Sequence, residues 1–151
     1  MKMVNESLVQ VFRDLVAGKE RWPLFLHGPV GTGKTSAALC LADWCDTATI
    51  VTPDRLCDIT KRDNAETEWD FIARKELAIL DELGTRTVNE FHYSVVKRFL
   101  DEREEHAGRV GIYISNIKPS DVSTLYDDRI ASRLLCGTRV ELSGKDRRVA
   151  R

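Results

Sequence analysis

Eight consecutive residues, Gly28-Pro29-Val30-Gly31-Thr32-Gly33-Lys34-Thr35, followed by Ser36, have the composition and spacing of a loop that cradles a polyphosphate. Glycines let the backbone turn tightly and aim several N–H groups at one point, and a helix that starts there adds the partial positive charge of its N-terminus. Lys34 reaches β- and γ-phosphates as a point charge, and the Thr35 hydroxyl is placed to ligate a magnesium ion that bridges them. A second group lies downstream, where the apolar run Leu77-Ala78-Ile79-Leu80 gives way to Asp81 and Glu82. An acidic pair after a buried strand often caps a helix or faces solvent in a turn. Beside a phosphate loop it has a chemical use: Asp81 holds the magnesium, and Glu82 orients and deprotonates a water for attack on a γ-phosphate. The expected ligands are ATP and Mg2+.

These residues need strands and helices in a particular order, and the hydrophobic pattern supplies it. A strand at Pro23 to His27 enters the glycine-rich loop, and a helix runs from Gly33 to about Cys45. Ala48 to Thr52 reads as a strand ended by Pro53. The charged stretch from Asp54 to Lys75 holds one or two helices in which Leu56, Ile59, Trp69, Phe71 and Ile72 are the buried positions. Glu76 to Asp81 is a buried strand, Val88 to Glu105 a long helix, and Arg109 to Ser115 a strand rich in β-branched residues. A short helix over Asp127 to Leu135 and a strand over Thr138 to Leu142 follow. Strands alternating with helices predict an α/β fold, an open five-stranded parallel sheet with its ligand at the strands' carboxyl ends.

At 151 residues, 42% of them apolar, the chain is expected to form one domain with a real core. Its parts read as an amphipathic N-terminal helix over 1–20, a catalytic core over 21–143 and a basic tail over 144–151. The N-terminal stripe of Val4, Leu8, Val11, Phe12, Leu15 and Val16 either packs on the core or docks in the groove of a partner. A formal net charge of −1 excludes a strongly basic nucleic-acid binder, yet six arginines and one lysine stand against two acids from Arg129 onward. That run suits phosphate, DNA, an acidic subunit or plain solvent. Lys97, Arg98 and Arg103 on the long helix are candidates for a phosphate-facing track.

Cys40, Cys45, Cys57 and Cys136 form no C-x-x-C pair, and His27, His92 and His106 lack metal-ligand spacing, so neither disulfides nor zinc are expected. No apolar run has the length of a membrane span, and a cytoplasmic protein is expected.

In order along the chain, GPVGTGKT (Gly28–Thr35), LAILDELGT (Leu77–Thr85), IYISN (Ile112–Asn116) and DDRIASRL (Asp127–Leu134) resemble the Walker A, Walker B, sensor 1 and arginine-finger segments of AAA+ ATPases. Within that superfamily the segments look like the DnaC-type helicase loaders, a group that includes the IstB-like transposition helpers. The resemblance implies a three-layer P-loop NTPase of the ASCE type. It makes Glu82 the catalytic base, Asn116 the sensor that polarises the attacking water, and Arg133, supported by Arg129 one turn earlier, the finger that reaches a neighbouring subunit's site. By spacing alone, Asn116 is equally a cap for the turn before Pro119, and the two arginines a surface pair four apart on a helix. Only sixteen residues follow Leu135, so no C-terminal helical lid is expected, and Arg147 or Arg148 is the candidate for the lid's arginine. The implied function is ATP hydrolysis in helicase loading at single-stranded DNA, through self-association or contact with a helicase hexamer. The alternatives are a transposition helper with the same core, a P-loop kinase for a nucleotide or small molecule, or a module that uses nucleotide only as a structural switch.

Overall fold

The computed structural model describes residues 6–85, 87–107 and 110–143. The strands are β1 (Leu24–His27), β2 (Ala48–Val51), β3 (Leu77–Leu83), β4 (Gly111–Ser115) and β5 (Thr138–Glu141). All pair in parallel in the order β2-β3-β4-β1-β5. Between them run α1 (Glu6–Val16), α2 (Lys34–Ala42), α3 (Pro53–Thr60), α4 (Ala65–Ala73), α5 (Glu90–Ala107), α6 (Pro119–Leu125) and α7 (Asp128–Leu135). Among the described residues no helix is long and apolar enough to cross a membrane.

Strand side chains alternate between two faces, and each face finds its own helices. Leu24, Leu26, Leu77, Ile79, Ile112 and Ile114 pack with Leu8, Phe12 and Leu15 of α1 and with Ala37, Ala38 and Leu41 of α2. Phe25, Ala78, Leu80 and Tyr113 face the other way, into a core closed by residues of α3 to α7 such as Leu56, Trp69, Phe99, Val122 and Leu134. The result is the expected three-layer sandwich around five parallel strands. Because Phe12 is fully buried and meets Trp22 and Trp44 edge to face, the apolar stripe of α1 is spent on the core. Leu8, Phe12 and Leu15 thus take the first of the two expected courses, packing on the core rather than on a partner. Val4 and the tail over 144–151 lie outside the described residues.

Local chemistry fixes the helix starts. Thr52 caps α3, its Oγ1 accepting from the Arg55 amide at 3.1 Å, and Pro53 occupies the first turn where its missing N–H costs nothing. Asn89 Oδ1 accepts from the His92 amide at 2.8 Å and starts α5. Asp127 Oδ1 does the same for Ile130 at the head of α7, at 2.8 Å.

Several expectations need correction. Phe71 is 68% exposed rather than buried, because Trp69, Ile72 and Ala73 occupy the i, i+3, i+4 face of α4 and Phe71 lies off it, its ring taking the Lys75 ammonium at 3.6 Å. Val16, the last residue of α1, is also exposed. Helix α6 was not anticipated: Pro119 reads as a turn signal, yet it stands in the helix's first turn. Strand β3 continues past Asp81 to Leu83 through a register shift.

Packing removes Arg103 from the expected phosphate-facing track on α5. Arg103 is fully buried, and its guanidinium donates to the carbonyls of Ala73 (2.9 Å), Lys75, Glu76 (3.1 Å) and Val110 (2.6 Å), stitching together the approaches to β3 and β4. Lys97 pairs with Asp101 at 2.9 Å, and Arg98 pairs with Glu66 at 3.0 Å while stacking over Trp69.

Arg103→Met should therefore lower unfolding stability by about 3 kcal/mol or more, since several buried carbonyls lose their donor. Urea denaturation measures it. ATP affinity of the folded variant should be unchanged, because the lost contacts lie at the amino ends of the strands.

Candidate active site

The glycine-rich loop leaves the carboxyl end of β1 and turns straight into α2. Gly31 (φ 84°) and Gly33 (φ 87°) hold left-handed conformations that side chains resist, and Gly33 is the residue from which α2 starts. Gly28 (φ 146°) is pressed beneath the chain that leaves β5: a Cβ there would stand 2.0 Å from the Leu142 carbonyl oxygen, and the Leu142 amide bonds to His27 O at 2.8 Å. Lys34 is buried within its own loop, its Nζ donating to the carbonyls of Gly28 and Pro29, each at 2.8 Å. Burial pushes its pKa down, and the nearby Asp81 carboxylate opposes that shift. Thr32 donates to Pro29 O at 2.9 Å and braces the same turn.

The cleft above the loop has a volume of about 570 Å³, within the range of small-molecule sites. Of the residues expected to bind nucleotide, Val30, Gly31, Gly33, Lys34, Thr35 and Ser36 line it. Gly28, Pro29 and Thr32 stand behind that lining, as the carbonyls and hydroxyl that hold Lys34. From β3 come Asp81 and Glu82, and from the end of β4 comes Asn116. Thr35 Oγ1 donates to Asp81 Oδ2 at 2.8 Å, so the two expected magnesium ligands touch. A hydroxyl and a carboxylate side by side are hard oxygen donors of the kind magnesium takes when phosphates complete its shell.

Glu82 is the one non-glycine residue with positive φ among the described residues, at 59°. That conformation costs about 1–2 kcal/mol for an L-residue. It coincides with the register shift of β3, after which Leu83 pairs with Ser115. Ser115 Oγ then donates to Leu83 O at 2.7 Å and accepts from the Ile117 amide at 3.0 Å, tying the tips of β3 and β4 together. Thr85, Ile114 and Ser115 also line the cleft. Sequence reasoning did not single them out, although Ser115 sits in the IYISN segment and Thr85 ends LAILDELGT.

No protein-family model matches the sequence, and no curated protein matches it. Solved structures do. An AMPPCP-bound DnaA from Aquifex aeolicus superposes with a TM-score of 0.76 at 18% identity, covering 91% of this chain and 46% of that one. The DnaI crystal structure gives 0.72 at 20% identity over 91% of this chain and 82% of its own. The DnaC helicase loader gives 0.71 at 13% identity over 93% and 89%. The fold is that of the AAA+ P-loop NTPases. This chain spans about half the length of that DnaA and most of the DnaI and DnaC chains.

Within this AAA+ fold, Arg129 and Arg133 do not join the cleft. Both lie on α7, where Arg133 pairs with Asp101 of α5 and borders a recess with Pro23, Leu100, Glu104 and Tyr113. Pro23 precedes β1, so Arg133 stands at the end of that strand opposite the phosphate loop. Arg129 lines a neighbouring open groove with Lys97, Asp128 and Ser132. Arg147 and Arg148 lie outside the described residues.

Gly28→Ala should weaken ATP binding at least about tenfold, equivalent to 1.4 kcal/mol, since the added methyl meets backbone rather than a yielding side chain. Titration with a fluorescent ATP analogue reads the change.

Proposed function

We propose that the chain is a magnesium-dependent ATPase of the helicase-loader type. The observation that carries it is the meeting of Lys34, Thr35, Asp81, Glu82 and Asn116 around one cleft at the carboxyl ends of three adjacent strands. In this reading the amides of residues 31–36 and the Lys34 ammonium bind the phosphates of ATP, with Lys34 exchanging its loop carbonyls for phosphate oxygens. Thr35 and Asp81 would hold magnesium, which would supply neutralising charge to the phosphates. Glu82 accepts the proton of a water as its oxygen bonds to the γ-phosphorus and the bond to the β–γ bridging oxygen breaks, giving ADP and phosphate. Asn116 orients that water or a γ-phosphate oxygen. A glutamate base suits water as nucleophile, which favours hydrolysis over transfer to a kinase substrate.

Arg133, with Arg129, acts in a neighbouring subunit's cleft. Its own cleft lies beyond the far end of β1, so a role in catalysis requires a second subunit, either another copy of this chain or a helicase protomer. The loader assignment draws on the near full-length likeness to DnaI and the DnaC helicase loader. Single-stranded DNA and a replicative helicase are the partners it calls for. Arg103 and the Leu8–Phe12–Leu15 stripe of α1 are buried, so those partners do not bind through them.

Two outcomes are expected. Lys34→Ala abolishes tight ATP binding, whereas Glu82→Gln binds ATP normally and turns it over about 10²- to 10⁴-fold more slowly. Steady-state hydrolysis beside nucleotide titration checks both, and wild-type turnover by Glu82→Gln removes that residue from catalysis.

Arg133→Ala keeps nucleotide affinity and loses hydrolysis by about 10³-fold or more, and mixing it with Lys34→Ala restores part of the rate by assembling intact composite sites. Single-stranded DNA and nucleotide are varied in the same assay, with light scattering to follow assembly. Activity independent of protein concentration, with no rescue on mixing, would mean that the site is not shared.

A further inference from the structure

Glu82 reaches the cleft from a left-handed backbone at the tip of β3, and that conformation must be held against relaxation to the extended region. Both ends of the residue are gripped. Its amide donates to Asp81 Oδ1 at 2.7 Å, and its carbonyl accepts from Thr85 Oγ1 at 3.0 Å in a turn closed by Gly84 at φ 85°. The grip matters because Glu82 borders two cavities. One is the cleft that contains Lys34 and Asn116, and the other is a smaller cavity of about 240 Å³ shared with Thr52, Asp54 and His92. Thr85 lies in the wall of both. A change of φ and ψ at residue 82 would swing its Cα–Cβ bond and redirect the carboxylate relative to these two cavities.

We propose that Thr85 is a positioning residue for Glu82: its hydroxyl clamps the Glu82 carbonyl and so keeps the carboxylate on the side of the phosphate loop. Thr85 touches no reacting atom in this account. The Asp81 carboxylate cannot do the work alone, because it also holds Thr35 and fixes only the amide side of residue 82. The proposal rests on Glu82 being the catalytic base, and the test separates the two.

Thr85→Val keeps size and branching and removes the donor; Thr85→Ala removes it with less bulk; Thr85→Ser keeps it. Each is made in the wild-type chain and in Glu82→Gln. Thr85→Val and Thr85→Ala should lower kcat about ten- to a hundredfold, with KM for ATP within about twofold, since misplacing a catalytic group by about an ångström costs that much. Thr85→Ser should retain kcat. In the Glu82→Gln background, Thr85→Val should add nothing, because a residue acting through another has no separate effect once that one is gone. Thermal unfolding should be nearly unchanged, as the bond lies at the exposed surface. Wild-type kcat in Thr85→Val beside a slow Glu82→Gln overturns the clamp and leaves the base standing. An equal fractional loss from Thr85→Val in both backgrounds overturns it too, by showing that Thr85 acts independently of Glu82. Wild-type turnover in Glu82→Gln overturns the base assignment itself.

Discussion

One hydrogen bond, from the Thr35 hydroxyl to the Asp81 carboxylate at 2.8 Å, joins segments 46 residues apart, and the candidate site depends on the sheet order that permits it. Strands β1, β4 and β3 are consecutive neighbours and parallel, so all three end on the same edge. The phosphate loop leaves β1, Asn116 leaves β4 and the acidic pair leaves β3. Adjacent strands lie about 4.8 Å apart, which places β1 and β3 about 10 Å from one another, the span of a triphosphate with its ion. An order that separated these three strands would scatter the same residues.

The backbone around the cleft is arranged by two kinds of positive φ. At Gly31 and Gly33 the absence of a Cβ makes the conformation cheap, and those positions need only their N–H groups. At Glu82 the proposed reaction calls for a carboxylate that glycine lacks, and the conformation is held by neighbours: the Asp81 carboxylate, the Thr85 hydroxyl and the Ser115 bridge from Leu83 to Ile117. Strain of this kind persists where surrounding bonds over-determine it. Lys34 shows the converse economy, since its ammonium, buried among loop carbonyls, keeps the loop in shape through the contacts that phosphate oxygens would replace.

Cations elsewhere are largely committed to the fold. Arg103 ties backbone carbonyls together beneath the sheet, Arg98 covers Trp69, and Lys97 and Arg133 both pair with Asp101. A count of basic residues along α5 therefore overstates the charge that helix offers to a polyanion. The arginines of α7 are set by its start, where Asp127 caps the helix and accepts from Tyr93 of α5 at 2.5 Å.

The sequence alone determined the order of the five strands, the glycine-rich loop and the acidic pair, because each rests on local rules: apolar runs, glycine conformations and the chemistry of a helix N-terminus. It also placed Asp81 and Glu82 at the close of the apolar run Leu77–Leu80. Only the tertiary structure decided which partners the side chains take. Arg103 reads as a solvent-facing cation on a charged helix and is buried, since four carbonyls at the strand entrances converge on its position. The α1 stripe was compatible with core or partner until Leu24, Leu26, Ile112 and Ile114 presented the face that covers it. Phe71 departs from its helix's buried side by one residue, a difference that composition cannot register and helical phase can. Thr85 and Ser115 lie within the motif segments, but their roles are set by the fold: the turn at Gly84 brings the Glu82 carbonyl to the Thr85 hydroxyl, and the β3 register shift brings the Leu83 carbonyl to that of Ser115.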